Sequence, residues 1–97
     1  MLTKKQKYKK NMEEKLYYIQ TIGYVGDAML WWKPDGRGYT TEIDKAGKFT
    51  EEKMREIIND SPDRDFAWEC DYIDNHPDAI VRVVYPRMHM NNKIKGE

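Results

Sequence analysis

Cysteine and histidine are scarce in this 97-residue sequence, which contains one cysteine, Cys70, and two histidines. A single cysteine excludes an intrachain disulfide framework and favours a reducing compartment such as the cytoplasm. A zinc site needs three or four converging ligands, so we expect neither a metal site nor another cofactor. Because no serine or cysteine stands at a telling spacing from a histidine, we also expect no catalytic residues and predict that the protein is not an enzyme.

Long apolar runs are absent as well. The longest apolar segment, Ala28–Trp32, has five residues, whereas a membrane-spanning helix needs about 20. The lysines near the N-terminus are not followed by an apolar stretch, so we expect no secretory signal. The sequence therefore predicts a protein that neither crosses nor binds a membrane.

The formal net charge is zero, but the charges are unevenly distributed. Residues 1–11 contain five lysines and no acidic residue, whereas the rest of the chain is acidic. We predict a basic N-terminal tail at 1–11, a single domain at 12–92 and a C-terminal tail at 93–97. An acidic body argues against direct binding to nucleic-acid phosphates.

The first half of the sequence predicts a three-stranded antiparallel meander. Residues 16–25 are β-branched and aromatic on both faces, which indicates a central strand. Further strands are expected at 29–32 and 38–43. Two turn signals separate the three strands: Gly26 with Asp27, and Pro34 with Asp35 and Gly36.

The second half adds a helix and a fourth strand. Thr50 is the expected N-cap of a helix over 51–58, in which Met54, Ile57 and Ile58 form an apolar stripe. Alternation over 66–72 predicts a half-buried strand. Residues 79–85 fit either a strand or a helix, and we favour the helix. The fold class is therefore α+β, a small antiparallel sheet packed against one or two helices.

Adjacent tryptophans beside a turn form the first candidate site. On a strand, Trp31 and Trp32 point to opposite faces, so at most one belongs to the main core. The segment is interpreted either as a hairpin with aromatic cover or as a binding surface for a planar anion such as a nucleotide. The second interpretation uses the following residues: Trp31, Trp32, Lys33, Arg37 and Tyr39.

Acidic residues between positions 60 and 74 form the second candidate site. They are Asp60, Asp63, Asp65, Glu69, Asp71 and Asp74. Such a cluster is either a solvated surface or a face that docks on the nucleic-acid channel of a partner protein. We favour the docking face, with aromatic side chains as anchors.

Three short motifs lie within residues 15–58: Leu-Trp-Trp at 30–32, Gly-Tyr-Thr at 38–40 and Phe-Thr-Glu-Glu at 49–52. Together they resemble the pattern of a family of small, mostly uncharacterised bacteriophage and prophage proteins. The resemblance implies a phage accessory protein of the host cytoplasm that counters a defence system, as anti-CRISPR proteins and sponges for cyclic-nucleotide signals do. The expected partner is a host defence protein or complex, and a homodimer is compatible with the sequence.

Overall fold

The computed structural model describes residues 14–76 and 93–96. Its strands and helices, in chain order, are β1 (Leu16–Val25), β2 (Ala28–Trp32), β3 (Tyr39–Thr40), β4 (Phe49–Thr50), α1 (Glu51–Asp60), β5 (Asp65–Glu69), α2 (Cys70–Asp74) and β6 (Ile94–Lys95). All strand pairs are antiparallel. The α+β prediction, with a small antiparallel sheet and helices, is therefore confirmed.

Strand β1 is central, as its two apolar faces predicted. The sheet order is β3-β2-β1-β5-β6, and β4 pairs with the first two residues of β1. The predicted meander is present, but its third strand is shorter than expected: only Tyr39–Thr40 pair with β2. The chain then bends into a 3-10 turn at Ile43–Lys45, and this turn buries Ile43 in the core.

The chain turns between β2 and β3 at Pro34, Asp35 and Gly36, where the sequence predicted a turn. Asp35 and Gly36 both have positive φ angles, 65° and 67°. The Gly36 N–H donates to the Lys33 carbonyl oxygen at 3.1 Å, and the Lys33 N–H donates to the Gly38 carbonyl oxygen at 2.9 Å. Gly38 has a positive φ angle as well, and Asp35 tolerates this backbone region better than most residues do. The turn is therefore tight although one of its three positive-φ positions is not a glycine.

Apolar side chains cover both faces of the sheet. On one face, α1 buries Met54 and Ile58 against Tyr17, Ile19 and Ala67. The Thr50 hydroxyl accepts a hydrogen bond from the Lys53 N–H at 3.2 Å, which confirms the predicted N-cap. On the other face a second cluster surrounds two tryptophans; its buried members are Tyr18, Met29, Trp31, Ile43, Ala46, Trp68, Cys70 and Ile73.

The strand predicted at 66–72 is wrong at both ends. The strand spans Asp65–Glu69, and the chain turns directly into α2 at Cys70. Cys70 and Ile73 are buried at a spacing of three, so one face of α2 lies on the core. Ala67, which alternates with the apolar residues 66 and 68 on the other side of the predicted half-buried strand, is fully buried because α1 covers that face.

The predicted C-terminal tail contains a strand. Ile94 and Lys95 pair with Ala67 and Phe66 and so extend the sheet beyond β5. The basic segment 1–11 and the helix predicted at 79–85 lie outside the described residues. Neither α1 nor α2 has the length and apolar character needed to cross a membrane.

Candidate functional site

The two adjacent tryptophans have different environments. Trp31 is fully buried and contacts Tyr18 edge to face, with 5.7 Å between ring centroids. Its indole nitrogen has no hydrogen-bond partner among the described residues. Trp32 points to the opposite face and is half-buried. Trp31 is thus a core residue, and of this pair only Trp32 is exposed to a ligand.

Trp32 is held in place by contacts from four directions. Its Nε1–H donates to Asp65 Oδ1 at 3.3 Å. The indole lies over Gly36, where an added Cβ would come within 3.1 Å of the ring. Tyr39 and Phe49 contact it edge to face, with centroids 6.2 Å and 6.3 Å away. The ring orientation is therefore fixed before any ligand arrives, which lowers the entropic cost of binding.

A groove with a volume of about 730 Å³ includes this indole; we call it the lysine groove. It is lined by Trp32, Pro34, Asp35, Gly36, Gly47, Lys48, Phe49, Lys53 and Ile57. The two lysines form exposed ion pairs, Lys48 with Asp74 at 3.7 Å and Lys53 with Glu56 at 3.5 Å. Exposed pairs of this kind contribute little to stability, so both ammonium groups are able to turn towards an anion.

Gly47 gives the lysine groove part of its shape. Its N–H donates to the Trp32 carbonyl oxygen at 2.8 Å, which brings the loop before β4 against the end of β2. A Cβ at this position would lie 2.9 Å from the Phe49 ring and 3.0 Å from Pro34 Cα. Only a glycine therefore permits this close approach of the two loops.

A second groove, with a volume of about 370 Å³, also includes this indole; we call it the carboxylate groove. It is lined by Trp32, Glu56, Ile57, Asp60, Ser61 and Asp65. Glu56 and Asp60 are one helical turn apart and so share a face of α1. Trp32 and Ile57 line both grooves. The fixed indole is thus shared by a groove with two lysines and a groove with three carboxylates.

Asp65 has an unusual environment in the carboxylate groove. It is 4% exposed and is the only charged residue among positions 14–76 and 93–96 that is buried. Its N–H donates to the Ser61 carbonyl oxygen at 2.9 Å, and Oδ1 accepts the bond from Trp32. Within the same ranges, no lysine or arginine pairs with this carboxylate, and its second oxygen accepts no hydrogen bond. Within the described residues, the Trp32 indole is thus the one side chain that donates to this carboxylate.

The six carboxylates predicted to share one face are divided between the two ends of β5. Asp60 and Asp63 are exposed next to the buried Asp65. Glu69 lies about 13 Å from Asp65 along the strand and pairs with Lys15 at 3.3 Å. Asp71 and Asp74 follow on α2. The predicted acidic face therefore has two parts, and Asp65 is not on its exposed surface.

Asp74 is already engaged within the fold. Its Oδ1 accepts a hydrogen bond of 2.6 Å from the Tyr18 hydroxyl. Burial, together with this bond, raises the pKa of Tyr18. Lys48 lies 3.7 Å from the other carboxylate oxygen. Asp74 thus joins α2 to β1 through Oδ1, while its other oxygen faces the exposed Lys48.

The remaining residues of the predicted ligand set lie near the grooves but do not line them. Lys33 and Arg37 are exposed in the turn, and Tyr39 is exposed beside Trp32. The groove lysines, Lys48 and Lys53, were not predicted from the sequence because they approach Trp32 only when β4 pairs with β1. The spacing of Glu56 and Asp60 was a usable signal for the carboxylate groove.

The Cys70 thiol is not activated as a nucleophile. Burial, followed by the negative charge of Asp74, raises the pKa of the Cys70 thiol to about 12. The thiol is therefore protonated at neutral pH and is a poor nucleophile. In the described residues, no group of three or more His, Cys, Asp and Glu side chains is arranged to hold a metal ion. His89 lies outside those residues.

Comparison with known proteins adds no relative to this description. No protein-family model matches the chain, and no curated protein or solved structure matches it either. The candidate site is accordingly defined by its own geometry: one fixed indole shared by a groove with two lysines and a groove with three carboxylates.

Proposed function

We propose that the protein is a phage-encoded inhibitor that binds stoichiometrically to a protein of a host defence system. The observation that carries the proposal is the carboxylate groove, in which the buried Asp65 contacts the fixed indole of Trp32 beside Asp60 and Glu56. The resemblance of residues 15–58 to phage accessory proteins supports the biological context. The inhibitor acts in the cytoplasm of the host cell.

This arrangement suits protein binding, because charged residues speed the association of two proteins and an aromatic anchor strengthens the complex once it has formed. Acidic side chains attract a basic nucleic-acid-binding surface and so raise the association rate. A well-held tryptophan is the side chain type that most often dominates the affinity of an interface. The exposed residues Asp60 and Asp63 supply the charge next to Trp32, and Asp65 remains inside the groove.

The test is a pull-down from bacterial host lysate with a charge-reversed variant and a matched control. Asp60→Lys combined with Asp63→Lys is expected to abolish capture of the partner. Asp27→Lys combined with Asp44→Lys changes the net charge equally, at exposed positions that line neither groove, and is expected to capture it normally. Asp65 is not reversed, because a buried lysine there would destabilise the fold.

Two results would contradict the proposal. Equal loss with both double variants would mean that only overall charge matters, and full capture by the Asp60 and Asp63 variant would remove the acidic site. The captured complex is then purified and its mass measured by light scattering, where a fixed stoichiometric ratio is expected. Circular dichroism checks that each variant is folded, since exposed substitutions usually change stability by only about 0.5 kcal/mol.

A second candidate function is the sequestration of a cyclic-nucleotide immune signal in the lysine groove. One observation favours it: Trp32 and Phe49 line a volume of about 730 Å³ together with Lys48 and Lys53. Apolar rings for a base and ammonium groups for a phosphate are the chemistry that such a ligand requires. Lys33 and Arg37, which the sequence suggested for the same role, line neither groove.

A thermal-shift screen against a panel of cyclic nucleotides tests this second function. A ligand present at 100 times its dissociation constant stabilises the folded state by about 2.7 kcal/mol, which is easily detected. Lys48→Ala combined with Lys53→Ala is expected to abolish the shift, and Lys33→Ala combined with Arg37→Ala to preserve it. Absence of a shift with every member of the panel would rule out the sequestering role.

A further inference from the structure

No lysine or arginine of the described residues pairs with the buried Asp65 carboxylate. Removing a carboxylate from water is costly unless a counter-charge or several hydrogen bonds replace the lost hydration. Among residues 14–76 and 93–96, the side-chain donor that reaches Asp65 is the neutral Trp32 indole, at a distance of 3.3 Å that is long for such a bond. The carboxylate lines the carboxylate groove, so a cation entering that groove would reach it.

The rest of the groove increases the need for a positive group. Glu56 and Asp60 stand one turn apart on the same face of α1, and like charges at this spacing repel. Glu56 has an exposed partner in Lys53, whereas no ion pair of Asp60 is found in the described part of the chain. A cation bound between these side chains and Asp65 would offset the cost of burying the Asp65 charge and reduce the repulsion between Glu56 and Asp60.

The chemistry of the lining selects an organic cation. The three carboxylates do not form a group that would hold a metal ion, and a hard cation such as calcium requires at least six oxygen ligands. The indole of Trp32, in contrast, is a surface on which a flat, weakly hydrated cation stacks well. A guanidinium group also carries five donors in one plane, which allows it to bind more than one carboxylate at a time.

We propose that the carboxylate groove binds the guanidinium group of an arginine side chain contributed by the partner protein. The volume of about 370 Å³ is at the small end of ligand sites and suits one side chain better than a whole cofactor. The inference rests on the proposed function only for the source of the arginine. Binding of a guanidinium group by the carboxylate groove depends only on residues of this chain, so it can be measured without the partner protein.

The test is a titration of the isotope-labelled full chain with three short peptides, followed through the indole N–H resonances. The peptides are acetyl-Gly-Xaa-Gly-amide with arginine, lysine or the neutral isostere citrulline at the centre. The Trp32 resonance, assigned with Trp32→Phe, is expected to shift saturably with the arginine peptide. The resonances of Trp31 and Trp68, both fully buried, are expected to stay in place.

Two variants connect the shift to the groove. Asp65→Asn preserves the shape of the side chain and removes its charge, so the arginine peptide is expected to bind at least tenfold more weakly. Asp60→Asn removes a second negative charge of the groove, at an exposed position where misfolding is not a concern. This variant is also expected to bind the arginine peptide more weakly. Asp44→Asn, which lies in neither groove, is the matched control and is expected to bind as the unaltered chain does.

Several outcomes would overturn the inference. They are no shift with the arginine peptide, equal binding of the citrulline peptide, tighter binding of the lysine peptide, an equivalent shift with calcium chloride alone, and unchanged affinity in both the Asp65 and Asp60 variants. The proposed function fails separately. Peptide binding without partner capture would contradict only the inhibitor role, and partner capture that is unaffected by Asp65→Asn would contradict only the arginine site.

Discussion

At the scale of single residues, the two fully buried tryptophans differ in the hydrogen bonding of their indole N–H groups. Trp68 Nε1–H donates to Gln20 Oε1 at 2.9 Å, whereas the Trp31 nitrogen has no partner within the part of the chain that the structure describes. Replacing either by phenylalanine removes a similar volume, but Trp68→Phe also leaves the buried Gln20 oxygen without its donor. We expect Trp68→Phe to destabilise the protein by about 1–3 kcal/mol more than Trp31→Phe.

Chemical denaturation of both variants measures this difference. The matching change in volume makes each variant the control for the other. Combining Trp68→Phe with Gln20→Leu tests whether removing the unsatisfied acceptor as well restores stability. The combined variant removes both polar partners and is expected to recover part of the lost stability. Equal destabilisation by the two tryptophan substitutions would show that the hydrogen bond contributes nothing measurable.

The raised pKa of the Cys70 thiol allows us to predict how the stability of the protein changes in alkaline solution. Its pKa in the folded protein is raised from an ordinary 9.0 to about 12 by burial and by the charge of Asp74. The folded state therefore retains the proton between these values, while the unfolded state loses it. The contribution of the thiol to stability is fully present below about pH 9 and is lost as pH rises towards 12.

Above pH 9, each pH unit is expected to lower the free energy of unfolding by up to about 1.4 kcal/mol through this thiol. Cys70→Ala is expected to reduce that slope, and the measurement is denaturant unfolding between pH 8 and about pH 11. The variant retains a smaller slope from Tyr18, whose pKa is also raised by burial. An identical slope in the variant would contradict the prediction.

At the scale of secondary structure elements, the start of α1 depends on Thr50. Its hydroxyl oxygen satisfies the Lys53 N–H, one of the donors that a helix leaves unpaired at its beginning. We expect Thr50→Ala to lower the free energy of unfolding by about 0.5–2 kcal/mol. Thr50→Ser keeps the oxygen and is expected to retain most of the stability; equal losses in the two variants would attribute the effect to packing instead.

The elements also show how far the sequence predicts the fold. Leu16–Val25 was predicted with its observed bounds because apolar residues on both faces are a strong local signal. The region 66–72 was predicted wrongly because residues 66, 68, 70 and 72 fit an alternating pattern, while Cys70 and Ile73 also fit a helical one. Packing of α2 on the sheet decides between these patterns, and that contact is not encoded locally.

At the scale of the whole molecule, the separation of charges around Trp32 predicts a salt dependence. Interactions between exposed charges fade over about 8 Å at physiological ionic strength and about 3 Å at 1 M. We expect association with the captured partner to slow steeply as salt increases, with little change in dissociation. The measurement is surface plasmon resonance across a salt series, repeated with Asp60→Lys combined with Asp63→Lys.

The charge-reversed variant supplies the contrast in that series. Its association is expected to be slow at every salt concentration, because the attraction has been replaced by repulsion. An association rate that does not depend on salt in the unaltered chain would mean that the acidic residues do not steer the encounter. In that case the aromatic surface around Trp32 would account for recognition without them.

The sequence by itself determined the features that depend on neighbouring residues: the central strand, the turn at Pro34 to Gly36, the Thr50 cap and the opposite orientations of Trp31 and Trp32. Tertiary structure alone decided which tryptophan is buried, that Asp65 is buried beside Trp32, and that Lys48 and Lys53 line the same indole. Asp65 and Trp32 are 33 positions apart in the chain. Their contact requires the order and register of the strands, together with α1 above them, and no local pattern of residue types specifies these.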